Sequence, residues 1–333
     1  MRFVTPLRLA AAGLALLLAA ALVLWLAPAD GYDLRLVDPA HPLGPLVEVP
    51  HERPLRDGGA IYFVDVRERQ ARLLERLLPW TRASGSSLVR TPPVSQVLLQ
   101  RVGEQDMTDS QKTAAVVALS QLGYRAHARS GGVDGLLVEK GAPAAKVLRP
   151  GDLIVAANGR ETPTVLTLRA ALSRVRPGDR VTIRYRRNGK LHRATITTVA
   201  DPQNPKRAIV GVSADDQLVV KLPFPIKISV PGVIGPSAGL AFALDILQEL
   251  GRNVAHGRKV AATGELALNG AVEPIGGVKQ KTLGARDAGV DVFLVPAGEN
   301  AREARRYAGG LRIVAVENFQ QALRTLATIG RKQ

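Results

Sequence analysis

A chain of 333 residues with 46% apolar and 22% charged side chains can bury more than one core, which excludes intrinsic disorder and points to several domains. It has no cysteine, which excludes a disulfide framework, a thiolate metal site and a cysteine nucleophile. Its formal charge of +16 would suit anionic lipid, acidic partners or nucleic acid, yet no zinc-finger spacing, helix-turn-helix signature or RNP motif accompanies it.

The first predicted element is an uncharged run from Leu9 to Ala27. As a helix it is about 28 Å long, enough to span the hydrocarbon core of a bilayer. Arg2 and Arg8 precede it, which keeps the N-terminus cytoplasmic and sends the rest across, with Trp25 at the far interface. Ala27-Pro28-Ala29 also resembles a signal-peptidase site, but the apolar run exceeds a usual signal peptide's. Residues 1–30 are therefore expected to be a retained single-pass anchor in the cell membrane. Residues 31–333 are expected to lie outside the cytoplasm on either reading.

Residues 31–122 begin strand-like, with "LRLV", "LVEV" and "AIYFVDV" separated by Pro and Gly. "ERQARLLERLLPW", Glu68 to Trp80, predicts a short amphipathic helix stopped by Pro79. "TRASGSSLVRTPPVS" predicts a surface loop. Thr108 or Asp109 is expected to cap a second helix ending at Gly123. No chemistry is legible in this region, which is expected to pack as a unit against the rest.

Residues 123–203 form a new unit. "VTIRYRR" and "KLHRATITTV" flank Asn188-Gly189, a hairpin with a type I′ turn. With the preceding strand, turn, strand and helix, the order predicts a small, partly open β barrel. Gly141-Ala142-Pro143-Ala144, "LRPGDLIVAANG" from Leu148 to Gly159 and a helix near Leu166 to Val175 resemble a bacterial PDZ domain. The resemblance implies a groove for an extended peptide, with its loop near Gly123 to Ala126. The basic residues Arg184, Arg186, Arg187, Lys190 and Arg193 read as a solvated strand face.

Residues 204–333 alternate strands and helices, and they contain "VIGPSAGLAFALDIL". Ser237 there is either the N-cap of a buried helix or a nucleophile at the positive end of its dipole. Gly235 to Gly239 matches G-x-S-x-G, but an α/β-hydrolase needs Asp and then His after the serine. Only His256 follows, while His41, His51, His127 and His192 fall in earlier units, so that triad fails. A serine without histidine needs a lysine desolvated enough to be neutral. "EPIGGVKQKTLGA" offers Lys279 and Lys281 in a small-residue context.

"GPSAGLAFALDIL", "KVAATGELALNGAVEPIGGVKQKTLGARDAG" and "VFLVPAGEN" together resemble the proteolytic domain of the Lon family, peptidase family S16. With the PDZ unit and the anchor, the chain resembles the bacterial membrane-anchored PDZ–Lon type. The resemblance implies Ser237 as nucleophile, Lys281 as general base and Thr263 as its orienting partner. Glu265 belongs to the same block, and Ala238 beside the serine leaves room for a substrate backbone. ATP-dependent members usually carry Asp two residues before the proline of "GPSAG", where this chain has Ile234. No G-x-x-x-x-G-K-[ST] loop occurs either.

The sequence thus predicts a mixed α+β and α/β multidomain chain: a transmembrane helix, a PDZ-like β barrel and a Lon-type proteolytic domain. The expected activity is ATP-independent serine endopeptidase cleavage of unfolded or flexible protein segments outside the cytoplasm. No cofactor, no metal and no nucleic acid is expected. The expected partners are protein or peptide substrates, the membrane and further copies of the chain, with a hexamer implied by the family. The alternative is a catalytically inactive, membrane-tethered PDZ scaffold.

Overall fold

The structure, a computed structural model, describes residues 6–50, 55, 59–92, 94–202 and 204–329, with side chains from Ala10 onward. Arg2, the side chain of Arg8 and His51 lie outside the described residues. Helix α1 (Pro6–Leu26) is built from Ala and Leu, strong helix formers, and exposes Leu14, Leu16, Leu17, Leu18 and Leu22. Among the described residues, whose α1 side chains cover only Ala10–Leu26, no helix is long and apolar enough to cross a membrane. Its C-terminal end is docked: the Arg72 guanidinium lies 4.3 Å from the centre of the Trp25 ring, and Leu73 N–H donates to Ala27 O (2.9 Å).

β1 (Pro28–Val37) follows at once. Then come β2 (His41–Pro42), β3 (Val47–Glu48), β4 (Ala60–Phe63), β5 (Val66–Arg72), α2 (Leu73–Leu77), β6 (Ser87–Arg90) and α3 (Gln96–Gln121). β1 is the centre of an antiparallel sheet ordered β5-β1-β6. The helix expected from Glu68 is therefore split, because strand pairing with β1 claims the chain as far as Arg72. Only then does α2 start, with the buried Glu75 accepting from Arg72 N–H (2.9 Å) and pairing with Arg69. The expected loop after Trp80 contributes β6. Neither Thr108 nor Asp109 caps a helix. Thr108 donates back to Glu104 O (2.9 Å), Asp109 binds Lys112 and Gln105, and α3 begins at Gln96 after Ser95.

The middle unit comprises β7 (His127–Val138), β8 (Leu153–Ala157), β9 (Arg160–Glu161), α4 (Val165–Leu172), β10 (Arg180–Arg187), β11 (Lys190–Thr197), β12 (Val199–Asp201), β13 (Asn204–Ile209) and β14 (Val212–Lys221). Asn188 and Gly189 both have positive φ, as a type I′ turn requires. Asp152 accepts from Arg149 N–H (2.7 Å) and takes Arg187 on both oxygens. One member of the basic stripe is thus an internal ion pair. The main sheet runs β11-β10-β8-β7-β14 over a core of Val133, Leu148, Ile154, Val181 and Ile183. Strand β14 belongs to this sheet although it lies beyond residue 203.

The chain ends with β15 (Lys227–Ile228), α5 (Gly239–Glu249), β16 (Lys259–Ala262), β17 (Glu265–Leu266), β18 (Val272–Glu273), α6 (Val278–Asp287), β19 (Val292–Pro296), α7 (Glu299–Tyr307), β20 (Arg312–Val316) and α8 (Phe319–Thr328). Its sheet runs β2-β4-β16-β19-β20, parallel from β4 to β20. Helices cover both faces, so β19 is buried at every residue. One face packs on α5 through Leu240, Leu244, Ile61, Val260 and Leu294, and the other holds Phe293, Val295, Ala301 and Ala304. Residues 31–122 divide between two structures: β5-β1-β6 form a sheet of their own, while β2, β3 and β4 are built into this fold. β4 is a strand of the sheet, β3 pairs with β15, and Ala40 N–H donates to Gly284 O (3.1 Å) on α6.

Candidate active site

Parallel strands carry their ligand sites beyond their carboxyl ends, and three chain segments meet there. β4 ends at Phe63, opposite Ala262 of β16, so Asp65 and Thr263 emerge side by side. α6 starts after Gly277, whose φ of 71° suits a left-handed cap, and its first turn brings Lys281 up to Thr263. The serine turn closes the site above.

Lys281 Nζ lies 2.5 Å from Ser237 Oγ and 3.2 Å from Thr263 Oγ1. The Thr263 hydroxyl donates to Ser237 O (3.0 Å), and Gly264 N–H donates to the same carbonyl (2.8 Å). A hydroxyl has one hydrogen, so Thr263 can only accept from Lys281, and the amine is aimed at the serine. Lys281 is 3% exposed and Thr263 fully buried, whereas Ser237 is half-buried and reachable. Burial drives the Lys281 ammonium down to about 7, opposed by the charge of Asp65 and assisted by that of Arg35.

Ser237 does not cap α5. The N-cap is Ala238, which has no side chain to do so, and the serine stands one residue outside with its hydroxyl turned to Lys281. Helix α3 holds the turn from outside, Gly103 O accepting from Gly235 N–H (2.8 Å) and Ser110 Oγ donating to Pro236 O (3.0 Å). Lys279 is elsewhere: its amine donates to Ser86 O (3.1 Å) and lies over the Tyr307 ring. Glu265 lies on β17 with much of its side chain in solvent, and partial desolvation of its carboxyl, then Glu273, pushes it up. It faces Asp106 of α3, which is pushed up to about 6 by burial, then by Asp215, Glu265 and Asp109. Acidic residues thus gather where α3 meets β17.

Sequence reasoning missed Asp65 and the group behind it. His41 Nε2 lies 3.3 Å from Asp38 and 3.8 Å from Asp65, and the Asp65 carboxyl is raised by its burial and by Asp38. No motif marks these residues. The available signal was the strand "AIYFV" ending in an acid, which acquires meaning only once β4 is seen beside β16.

Residues 216–328 match the family model of the Lon protease (S16) C-terminal proteolytic domain, and residues 120–198 match that of the PDZ domain. The chain carries a domain of each family. Among curated relatives, Lon protease 2 of Bacillus subtilis is 39% identical over 103 residues, 30% of this chain and 18% of that protein. The Lon protease of Heliobacterium modesticaldum is 40% identical over 94 residues, 27% of this chain and 11% of that one. The chain thus spans less than a fifth of the length of these two relatives. Among solved structures, the PDZ domain of an SdrC-like protein from Listeria monocytogenes matches 25% of this chain and 86% of its own. Its identity is 28% and its TM-score 0.23.

Proposed function

We propose that the protein is an ATP-independent, membrane-anchored serine endopeptidase working through Ser237 and Lys281. The observation that carries this is the 2.5 Å approach of a buried, desolvated amine to a reachable serine hydroxyl. With its amine near half neutral at pH 7, Lys281 takes the hydroxyl proton as Ser237 attacks the scissile carbonyl. The ammonium so formed is held by Thr263 Oγ1 and the charge of Asp65, then returns the proton to the leaving amine. Water hydrolyses the acyl-enzyme with the same lysine as base. The amides of Ser237 and Ala238, at the positive end of α5, are the donors we assign to the oxyanion. This chemistry uses no cofactor or metal.

With no nucleotide-binding loop in its sequence to drive unfolding, the enzyme would take flexible or unfolded segments, presented by the PDZ unit. The exposed leucines of α1 support an anchor. Residues after α1 would then lie outside the cytoplasm, and ring assembly rests on the family resemblance. The test is casein degradation by the full chain in detergent without ATP, beside Ser237→Ala and Lys281→Ala. Cleavage by wild type alone is expected. Equal cleavage by all three would overturn the assignment, and none by any would favour the scaffold.

A further inference from the structure

The chain has two tryptophans, and the fold brings both to the C-terminal end of helix α1. Trp25 lies in the last turn of that helix, under the Arg72 guanidinium. Trp80 belongs to the turn Pro79–Thr81 after α2, and α2 itself starts where Leu73 N–H donates to Ala27 O (2.9 Å). The turn is folded back on that start. The Thr81 hydroxyl lies 2.7 Å from Leu78 O and 3.4 Å from Leu74 O, and Arg82 Nε donates to Glu75 O (2.6 Å).

What the turn presents is apolar. Trp80 is 79% exposed, more than any other large apolar side chain among the described residues, and Leu77 is 59% exposed. Leu26, the last residue of α1, is exposed as well. The other side of α2 is already committed, Leu73 to the small core of Leu34 and Ala71, and the buried Glu75 to Arg69. The hydrogen bonds therefore hold Leu77 and Trp80 outward, and a held apolar patch marks a contact surface. Arg72, Arg76 and Arg82 stand around it, the first two lying over the rings of Trp25 and Tyr32. Tryptophan with a rim of arginine is the composition of a membrane–water interface, where the ring sits at headgroup level and the cation reaches phosphate.

We propose that Leu77 and Trp80 form a second membrane contact, seated in the interface beside the point where α1 leaves the bilayer. The occupant is phospholipid because the patch continues the exposed apolar surface of α1 and its rim is cationic. The proposal rests on the reading of α1 as an anchor. Its consequence is that the β5-β1-β6 sheet faces the bilayer and bounds the height of the active site. Ser87 of β6 is seven residues from Trp80, which is at most about 25 Å of chain. There Gln280, next to Lys281 on α6, donates to Gly85 O (2.9 Å) and Ser87 Oγ (2.8 Å).

The test uses the full chain in phosphatidylcholine vesicles, with lipid brominated high on its acyl chains as the probe. Bromine quenches tryptophan only at short range, so Trp25→Phe reports Trp80 alone and Trp80→Phe reports Trp25 alone. The difference between wild type and Trp80→Phe gives the Trp80 reading again with Trp25 unaltered. Trp80 emission should fall about twofold or more in brominated vesicles, as for a ring about 5–10 Å into the interface. Quenching of Trp25 without Trp80 would overturn the contact and leave the anchor standing. Quenching of Trp80 without Trp25 would support the contact and overturn the anchor, and quenching of neither would overturn both. An unquenched Trp80 with blue-shifted emission would mean that a second copy or another protein covers the patch, which also overturns the proposal. No readout needs proteolysis, so casein cleavage separately decides the dyad.

Discussion

The charge of Asp65 is the principal electrostatic support for a protonated Lys281, although the two residues are more than two hundred positions apart. Burial alone would depress the amine further. Asp65→Asn should therefore lower the Lys281 pKa below about 7 and move the acid limb of the pH–rate profile down by about one pH unit. The profile of casein cleavage measures it. An unmoved limb would mean that Asp65 does not govern the base.

Lys281→Met should abolish cleavage and stabilise the fold. A lysine whose pKa falls from 10.5 unfolded to about 7 folded leaves the unfolded chain binding the extra proton between those values. Wild-type stability attributable to this group therefore rises with pH from about 7 to 10.5. The Met variant should lack that slope and be several kcal/mol more stable at pH 7. Chemical denaturation at pH 7 and pH 10 reads both. Lys281→Arg should be equally inactive, because guanidinium does not lose its proton.

Asp245 is buried within α5, one of its oxygens has no hydrogen-bond partner, and its carboxyl is pushed up to about 8 by burial and then by Glu249. Between about pH 4 and 8 the folded state holds a proton that the unfolded state has lost. Stability from this group is present at low pH and is lost as pH rises through that window. Asp245→Asn should remove the slope and be several kcal/mol more stable than wild type at pH 8. Melting curves across that range would show it, and parallel curves for the two proteins would refute it.

Gly284 of α6 lies against the Asp38 carbonyl, and a Cβ there would overlap that main-chain oxygen. Gly284→Ala should push the 38–40 segment off the helix and cost about 2–3 kcal/mol. Because that segment leads to His41, activity should fall as well. An unchanged melting temperature would show that the N-terminal region is separable from the protease fold.

The sequence alone determined the parts whose information is local. The Asn188-Gly189 hairpin is set by two residues that tolerate positive φ, and the buried α5 by a run from Gly239 to Leu247 that is apolar but for Asp245. The pairing of Ser237 with Lys281 was legible because the family blocks around them are short and contiguous. Tertiary structure alone decided what depends on strands finding distant partners. The run after Glu68 became strand because β1 needed an edge partner, and β4 joined the parallel sheet beside β16 across two hundred residues. That pairing brought Asp65 to the lysine. Likewise β14 looked like the start of the protease domain until β7 claimed it. A periodic pattern names an element, but the neighbour that satisfies its backbone and buries its face is chosen by the whole fold.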